Sequence, residues 1–159
     1  MINSVVEFLH PVNLLAPATD AAGRTGAYVN TAYSTKLHIR VHVAQGNAAT
    51  ILLSLLQATS AAGAGSKAGP ASQIWANLDT AASDALVRVA TDAATYTTDA
   101  GVKLKIVCFE IDGSALDVAN GFSYVTVSTG ASNVANVTAA TMEAMGSRYQ
   151  QATPPTVVT

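Results

Sequence analysis

The sequence contains few charged residues. Asp, Glu, Lys and Arg make up only 11% of its 159 residues, whereas typical soluble proteins contain about 25%. The surface must therefore be covered largely by Thr, Ser, Asn, Gln and Ala. Because charge helps to keep soluble chains apart, this composition favours assembly, or a protein whose faces are mostly hidden in a larger object.

Clustered basic residues are also lacking, which argues against nucleic-acid binding. The formal net charge is −2, and the densest basic group is only Lys36 and Arg40 with two histidines. Binding to phosphate backbones needs Lys and Arg concentrated on one surface. Aromatic residues make up 6% of the chain, too few for a base-stacking platform. We expect no direct contact with nucleic acid.

Cysteine and long apolar runs are nearly absent. Cys108 is the only cysteine, which excludes an intrachain disulfide and a cysteine-based zinc site within one chain. It lies in the apolar run 106–109 and is expected to be a small buried hydrophobic residue. No apolar run approaches the ~20 residues that span a bilayer, and residues 1–4 lack the basic start of a signal peptide. We therefore expect a soluble, cytoplasmically assembled protein with no membrane partner.

The sequence does contain a series of short strand patterns. In residues 36–43 apolar and polar side chains alternate strictly, which is typical of a half-buried antiparallel strand. Residues 103–111 alternate in the same way. Further strands are predicted at 50–59, 122–128 and 133–145, with β-compatible spacing or a short helix at 84–97 and one helical turn at 114–119. Recurring short strands with turn signals between them predict an all-β antiparallel sandwich or jelly roll.

Turn and loop composition divides the chain into segments. We predict an extended N-terminal arm or edge strand over residues 1–27, a β-sandwich domain over 28–149 and an extended tail over 150–159. The small, Gly-rich segment 60–72 is expected to be an exposed, mobile loop, with Trp75 anchoring its far end. The Gly-containing loop 129–132 predicts a hairpin between the last two strands.

Histidines and carboxylates are not spaced for metal or acid–base chemistry. His38 and His42 share a strand face but lie about 13 Å apart at 3.3 Å per residue, too far to share one ion within one chain. A zinc ion shared across subunits is the minor alternative. Asp79 and Asp84 flank a Thr-Ala-Ala-Ser segment and are expected to act as turn or capping residues.

Signatures of nucleophilic catalysis and of phosphate binding are missing as well. The sequence has no Gly-x-Ser-x-Gly elbow. In segment 63–67 a serine precedes the lysine, which is not the order of a phosphate-binding loop. We therefore predict no catalytic, cofactor-binding or metal-binding residues, no cofactor and no enzymatic activity.

Several stretches together resemble a known class of proteins. They are Lys36-Leu-His-Ile-Arg-Val-His-Val43, Gln57-Ala-Thr-Ser-Ala-Ala-Gly63, Lys105-Ile-Val-Cys-Phe-Glu-Ile-Asp112 with Leu116-Asp-Val118, and Gly121-Phe-Ser-Tyr-Val-Thr-Val127 ending in Arg148-Tyr149. In this order they resemble small structural proteins of tailed bacteriophage virions, among them jelly-roll cement, or decoration, proteins that clamp the outside of the head. The resemblance covers roughly residues 28–150.

This resemblance implies a capsid cement protein that stabilises the head by bridging capsomers. Its partners would be the major capsid protein and further copies of itself, as a dimer or trimer, on the capsid exterior of a virion assembled in the host cytoplasm. One alternative is a tail or head–tail joining ring protein, with segment 60–72 as its hairpin. Another is a β-sandwich glycan-binding module, which would need an exposed aromatic cluster from Trp75, Tyr28 and Tyr33.

Overall fold

Alternating side chains determine where the longest strands lie. In the strand from Ser34 to Gln45, Leu37, Ile39 and Val41 are at most 1% exposed, and the polar residues between them face outward. A strand with one apolar face must pack that face against another layer. The chain forms two antiparallel sheets, and their inner faces pack together into one core.

The computed structural model describes residues 9–32 and 34–147, and all elements lie within these ranges. Its strands are β1 (Leu9–Thr19), β2 (Arg24–Thr25), β3 (Val29–Asn30), β4 (Ser34–Gln45), β5 (Leu52–Ala58), β6 (Lys67–Ala68), β7 (Gln73–Asn77), β8 (Val87–Arg88), β9 (Thr95–Thr97), β10 (Leu104–Asp112), β11 (Tyr124–Thr129) and β12 (Asn136–Ser147). Two 3₁₀ turns, η1 (Gly113–Ala115) and η2 (Val118–Asn120), connect β10 to β11. Neither of these described helices is long and apolar enough to cross a membrane.

The strands form two sheets of unequal regularity. Sheet A has the order β1-β12-β4-β10-β7-β8, and β4 pairs along nearly its whole length with β12 and β10. Sheet B has β11 and β5 at its centre, with the short strands β2 and β3 along β11 and β6 and β9 along β5. The predicted all-β antiparallel sandwich is confirmed.

The core fills the space between the two sheets. Sheet A contributes Ile39, Phe109 and Met142, each 0% exposed, and sheet B contributes Leu53 and Val127, also 0% exposed. Their neighbours along each strand point to the opposite face, because side chains alternate along a strand. Each sheet therefore has one core face and one outer face.

The predicted hairpin at the end of the domain is wrong. Strands occur at 124–129 and 136–147, close to the predicted bounds, but β11 belongs to sheet B and β12 to sheet A. The link 130–135 crosses between the sheets, and β11 pairs with β5 instead. A loop of turn composition is compatible with both outcomes, because the partner of a strand depends on contacts distant in sequence.

Segments with a weaker pattern also form strands. The β-compatible interpretation of 84–97 is confirmed by β8 and β9, which belong to different sheets, and no helix forms there. The helical turn predicted at 114–119 is present as η1 and η2. The predicted tail 150–159 and residues 1–8 of the predicted arm lie outside the described residues.

Residues 9–19 of the predicted arm form β1, which occupies one edge of sheet A. Pro11 and Pro17 lie in this strand, and proline cannot donate a backbone hydrogen bond to a further strand. The Ala27 amide donates to the Leu14 carbonyl oxygen at 3.0 Å. The Arg24 guanidinium donates to the carbonyl oxygens of Ala16 and Ala18 at 2.8 and 2.9 Å. The chain itself therefore occupies much of the hydrogen-bonding capacity of this edge.

Asp20 joins the two sheets where β1 ends. Its side chain is 0% exposed, and its Oδ1 accepts hydrogen bonds from the hydroxyls of Thr129 in sheet B and Thr138 in sheet A, both at 2.8 Å. Arg24 approaches the same oxygen at 3.2 Å, and the Asp20 amide donates to the Asn136 carbonyl oxygen at 3.0 Å. A buried carboxylate is stable only with such compensation. Asp20 therefore fixes the position of β1 relative to both sheets.

Replacing Asp20 tests this arrangement. Asp20→Ala should lower the free energy of unfolding by about 3 kcal/mol, because it leaves two buried hydroxyls without their acceptor and Arg24 without its counter-charge. Equilibrium urea denaturation followed by circular dichroism measures the change. Asp92→Ala, which removes an exposed ion pair with Arg88, is the matched control and should cost less than about 1 kcal/mol. Equal losses for the two variants would contradict the assigned role of Asp20.

Candidate assembly surfaces

The outer face of sheet A carries the polar residues predicted from the alternation of β4. Lys36 and His42 are exposed, and His38 and Arg40 are partly exposed. Glu143 lies opposite His38 in β12. Its carboxylate contacts His38 Nδ1 at 3.0 Å and Arg40 Nη1 at 3.3 Å. This ion-pair cluster links β4 to β12 across the outer face.

The two β4 histidines have different surroundings. His38 contacts Glu143, whereas His42 lies opposite Ala139 and Ile106. Over residues 9–32 and 34–147, no group of three or more His, Cys, Asp and Glu side chains could hold a metal ion. The His10 side chain lies outside the described set.

The other half of this outer face is apolar. Leu104 is 57% exposed and lies opposite Ala44, which in turn lies opposite Val137. In the next row Ile106 and Ala139 flank His42. We call these five apolar residues the sheet A patch. The sheet A patch lies directly beside the ion-pair cluster of Glu143, His38 and Arg40.

The outer face of sheet B has a different composition. Leu53, Leu55 and Val127 point into the core, so the residues between them face outward. One row across the sheet runs Thr25, Ser128, Ser54, Thr95, as the cross-strand register shows. The outward residues that are exposed or partly exposed, which we call the sheet B face, are Thr25, Asn30, Leu52, Ser54, Leu56, Ala68, Thr95, Thr97, Tyr124 and Ser128. Ala58 and Thr126 have the same phase but are 0% exposed. None of these described residues carries a charge.

The Gly-rich segment 60–72 is largely exposed, as predicted, although Ser72 at its end is only 3% exposed. Other residues of the segment contact their surroundings. A Cβ on Gly63 would lie 2.7 Å from Cε2 of Tyr28, so only glycine allows the loop to pack this closely on the ring. Ser66 and Tyr28 share a hydrogen bond through their hydroxyls. Lys67 lies 3.8 Å from the centroid of the Phe122 ring. The mobility of segment 60–72 stays a prediction.

Lys67 also forms an ion pair that fixes the end of this loop. Its ammonium donates to the Asp117 carboxylate beside η2. This hydrogen bond, together with one from Asn120, holds the pKa of Asp117 below its usual value. The loop is therefore connected to the segment between β10 and β11 as well as to Tyr28.

Cys108 is buried, as predicted, but it lies outside the core cluster. It is 1% exposed and faces the outer side of sheet A, between Arg40 on β4 and Trp75 on β7. Burial raises the pKa of its thiol, which lowers the fraction of reactive thiolate. The position is typical of a packing residue.

The aromatic residues considered for glycan binding do not form one cluster. Trp75 lies in β7 on the outer face of sheet A, opposite Cys108 and Arg88. Tyr28 packs against Gly63 beside sheet B, and Tyr33 lies outside the described residues. The structure does not bring Trp75 and Tyr28 together on one sugar-binding surface.

A buried lysine is a feature that the sequence analysis missed. Lys105 is 1% exposed and lies on the core-facing side of β10. Its Nζ donates to Gln45 Oε1 at 2.8 Å, to the Asp99 carbonyl oxygen at 3.0 Å and to the Asp99 carboxylate. The signal was present, since Lys105 occupies the same phase of the alternation as Val107 and Phe109. Its partners hold the segment before β10 against the end of the core.

One open groove lies at the end of sheet A near η1. It has a volume of about 230 Å³ and brings one ammonium and several carboxylates together. Its lining residues are Lys36, Ala71, Ser72, Gln73, Asp92, Glu110, Ile111, Asp112 and Ala115. Asp112 accepts hydrogen bonds from the Ser114 amide and hydroxyl, and Asp92 pairs with Arg88. Much of the acidic lining therefore already has partners.

These surfaces belong to an antiparallel β-sandwich, and comparison with known proteins adds no family. No protein-family model matches the sequence, and no curated protein matches it significantly. Among solved structures, the SPBc2 prophage-derived protein YomS is similar with a TM-score of 0.42 and 10% identity, over 90% of this chain and 96% of that one.

Two viral structures are similar at lower scores. The structure of Desmodium yellow mottle tymovirus has a TM-score of 0.20 and 8% identity, over 90% of this chain and 82% of that one. The structure of the infectious bursal disease virus Gx strain has a TM-score of 0.20 and 12% identity, over 91% and 45% respectively. Similarities at this level carry no argument about function.

The Lys105–Asp99 contact predicts a specific pH dependence of stability. The Lys105 hydrogen bond lowers the pKa of Asp99 from its ordinary value of 3.8. The ion pair therefore stabilises the fold above about pH 4, and this contribution is lost as the pH falls through the lowered pKa. Asp99→Asn should make the acid loss of stability less steep, measured by urea denaturation between pH 7 and the acid limit of folding.

A control separates this effect from general acid unfolding. The side chain of Glu110 is exposed and forms no hydrogen bond or ion pair with the described residues, so Glu110→Gln should retain the wild-type acid profile. If Asp99→Asn also retained that profile, Asp99 would not be linked to folding through Lys105.

Proposed function

We propose that this protein is a virion structural protein, and specifically a capsid cement protein of a tailed bacteriophage. The observation that carries the proposal is the uncharged sheet B face, which offers a broad surface for contact with another protein. Under this hypothesis the sheet B face contacts the major capsid protein at the exterior of the head. The role is structural and not enzymatic.

The chemistry of the sheet B face suits a buried contact. Charged residues are depleted at the centres of protein interfaces, because their desolvation is costly. Hydroxyls such as Ser54 and Ser128 can exchange water for hydrogen bonds with a partner at a smaller cost. Leu52 is 44% exposed and adds apolar area to the same face. Together these residues favour docking without a need for charge pairing.

The resemblance of residues 28–150 to phage virion proteins supports the same role. A cement protein needs a rigid scaffold, and the two sheets packed over one core supply it. Many copies bind one head, so a modest affinity per copy produces a large combined effect. Clamping across capsomer boundaries would then resist the outward pressure of packaged DNA.

The alternative of a tail or head–tail joining ring has less support from the described surfaces. That role relies on segment 60–72 as a projecting hairpin. Here this segment folds back, with Gly63 on Tyr28 and Lys67 paired with Asp117. Six-fold rings or open polymers in native mass spectrometry would nevertheless favour the ring and contradict the cement role.

Charge introduced into the sheet B face tests the proposal. Ser54→Glu and Ser128→Glu should each weaken binding to undecorated phage heads at least about tenfold, because an unpaired carboxylate would be buried in the contact. Cosedimentation of purified protein with heads measures the binding. Thermal unfolding of each free variant should remain close to wild type, because both sites are on the outer face.

His42→Glu is the matched control on the opposite side of the sandwich. His42 is exposed on the outer face of sheet A, and this variant should bind heads like the wild type. Loss of binding in His42→Glu with full binding in both serine variants would move the contact to sheet A. The failure of wild-type protein to bind any head would contradict the cement role itself.

A further inference from the structure

Within residues 9–32 and 34–147 sheet A ends at β8, and this edge differs from the edge at β1. Leu86 is 43% exposed and Val87 is 67% exposed, so this edge presents large apolar side chains to solvent. The segment around β8 contains no proline. An exposed apolar edge strand is a template for pairing with a further strand.

The hydrogen-bond pattern shows which backbone groups of this edge are free. The Val89 amide donates to the Ile74 carbonyl oxygen at 2.8 Å, and Arg88 lies opposite Trp75 in the next pair of the ladder. In an antiparallel ladder, hydrogen-bonded and non-hydrogen-bonded pairs alternate. The N–H and C=O groups of Arg88 therefore point away from β7, toward the open side of the edge. Leu86 precedes β8, and the same alternation, continued by two residues, places its N–H and C=O groups on that side as well.

The side chains along this segment form a self-complementary pattern. Arg88 shares the outer face with Trp75. Leu86 and Asp84 precede β8 in an irregular segment at intervals of two residues, so they take the same face when pairing extends the strand to residue 84. The order is therefore acidic, apolar, basic. When such a segment pairs antiparallel with a copy of itself about Leu86, Leu86 meets Leu86 and each Asp84 meets an Arg88 of the other chain.

We propose that two copies of this protein pair edge to edge through residues 84–88, antiparallel about a two-fold axis at Leu86. The two sheets A then form one continuous sheet across the dimer. A two-fold interface uses the same surface on both subunits, and opposite charges directly across strands are favourable. The inference does not depend on the capsid role, because it concerns the protein free in solution.

The charged residues of this edge are available for the pairing. Asp84 is exposed and forms no hydrogen bond or ion pair with the described residues. Arg88 contacts Asp92 at 2.8 Å, and both side chains are nearly half exposed. Exposed ion pairs contribute little stability, so Arg88 can exchange Asp92 for Asp84 of the other subunit at low cost.

The expected dimer is weak and depends on concentration. A short strand pair with one central apolar contact buries less than the ~1,600 Å² of a standard interface. Native mass spectrometry and sedimentation velocity over a concentration series of the full chain should show a monomer–dimer equilibrium. Leu86→Glu should raise the dimer dissociation constant at least tenfold, because two carboxylates would meet on the axis.

Leu52→Glu is the control for Leu86→Glu. Leu52 has nearly the same exposure, 44%, but lies in β5 of sheet B, so its variant should dimerise like the wild type. Circular dichroism melting of both variants verifies that the fold is retained. An unchanged dimer in Leu86→Glu, or a wild type that is monomeric or trimeric at every concentration, overturns the proposal.

A charge-exchange experiment tests the register, in a background of Asp92→Asn that removes the intrachain partner of Arg88. Asp84→Arg alone places like charges across the axis, and so does Arg88→Asp alone, so each variant should be monomeric. Mixed together, they should form a heterodimer, because every cross-strand pair is then opposite in charge. Absence of that heterodimer, or dimers of either variant alone, overturns the register about Leu86.

Head binding is read separately from dimerisation. If the proposed edge is correct and the cement role is wrong, the dimer and its charge dependence remain although no head is bound. If the cement role is correct and the edge is wrong, Leu86→Glu leaves the wild-type oligomer unchanged while Ser54→Glu still reduces binding to heads.

Discussion

The buried carboxylate of Asp20 is the interaction on which the arrangement of the two sheets depends most directly. One carboxylate oxygen accepts hydrogen bonds from the hydroxyls of Thr129 in sheet B and Thr138 in sheet A. A polar contact therefore fixes the position of one sheet relative to the other. Apolar packing alone is less specific, because hydrophobic side chains tolerate many relative positions. Arg24 neutralises the charge and reaches the carbonyls of β1. The same contact therefore closes the corner of the sandwich and keeps the first described strand in place.

The sequence predicts individual strands better than it predicts their partners. Alternation in 36–43 and 103–111 identifies β4 and β10, because the period of two follows from local backbone geometry. Nothing local distinguishes a hairpin from a crossing, so the composition of the loop 129–132 predicts a hairpin, although the link 130–135 joins two sheets. Lys105 was overlooked for a related reason. Its phase in the pattern places it inside, but a buried lysine is stable only with Gln45 and Asp99, which lie 60 and 6 residues away.

From the sequence, the overall composition of the surface could be predicted, but not the positions of its charged and uncharged faces. A charge content of 11% indicates that uncharged faces exist, but not where they lie. The sheet B face is assembled from six short strands spread from Thr25 to Ser128, and its uniform chemistry appears only when they are brought together. Sheet A shows the opposite case. Lys36 and Arg40 on its outer face come from β4, whose clear alternation makes this polar face visible in the sequence, whereas their neighbour Glu143 in β12 is not.

The two edges of sheet A differ in a way that governs how far assembly can proceed. At β1, the prolines and the Arg24 contacts leave few backbone groups available to pair with a strand of another subunit. At β8, backbone groups are available for such pairing. Among the described strands of sheet A only β8 is open to pairing, so a subunit that has paired there offers no second edge of this sheet to a third copy. Growth by strand addition is then self-terminating. A cell could accumulate such a protein to high concentration, with an exterior poor in charge, without seeding fibres along this direction.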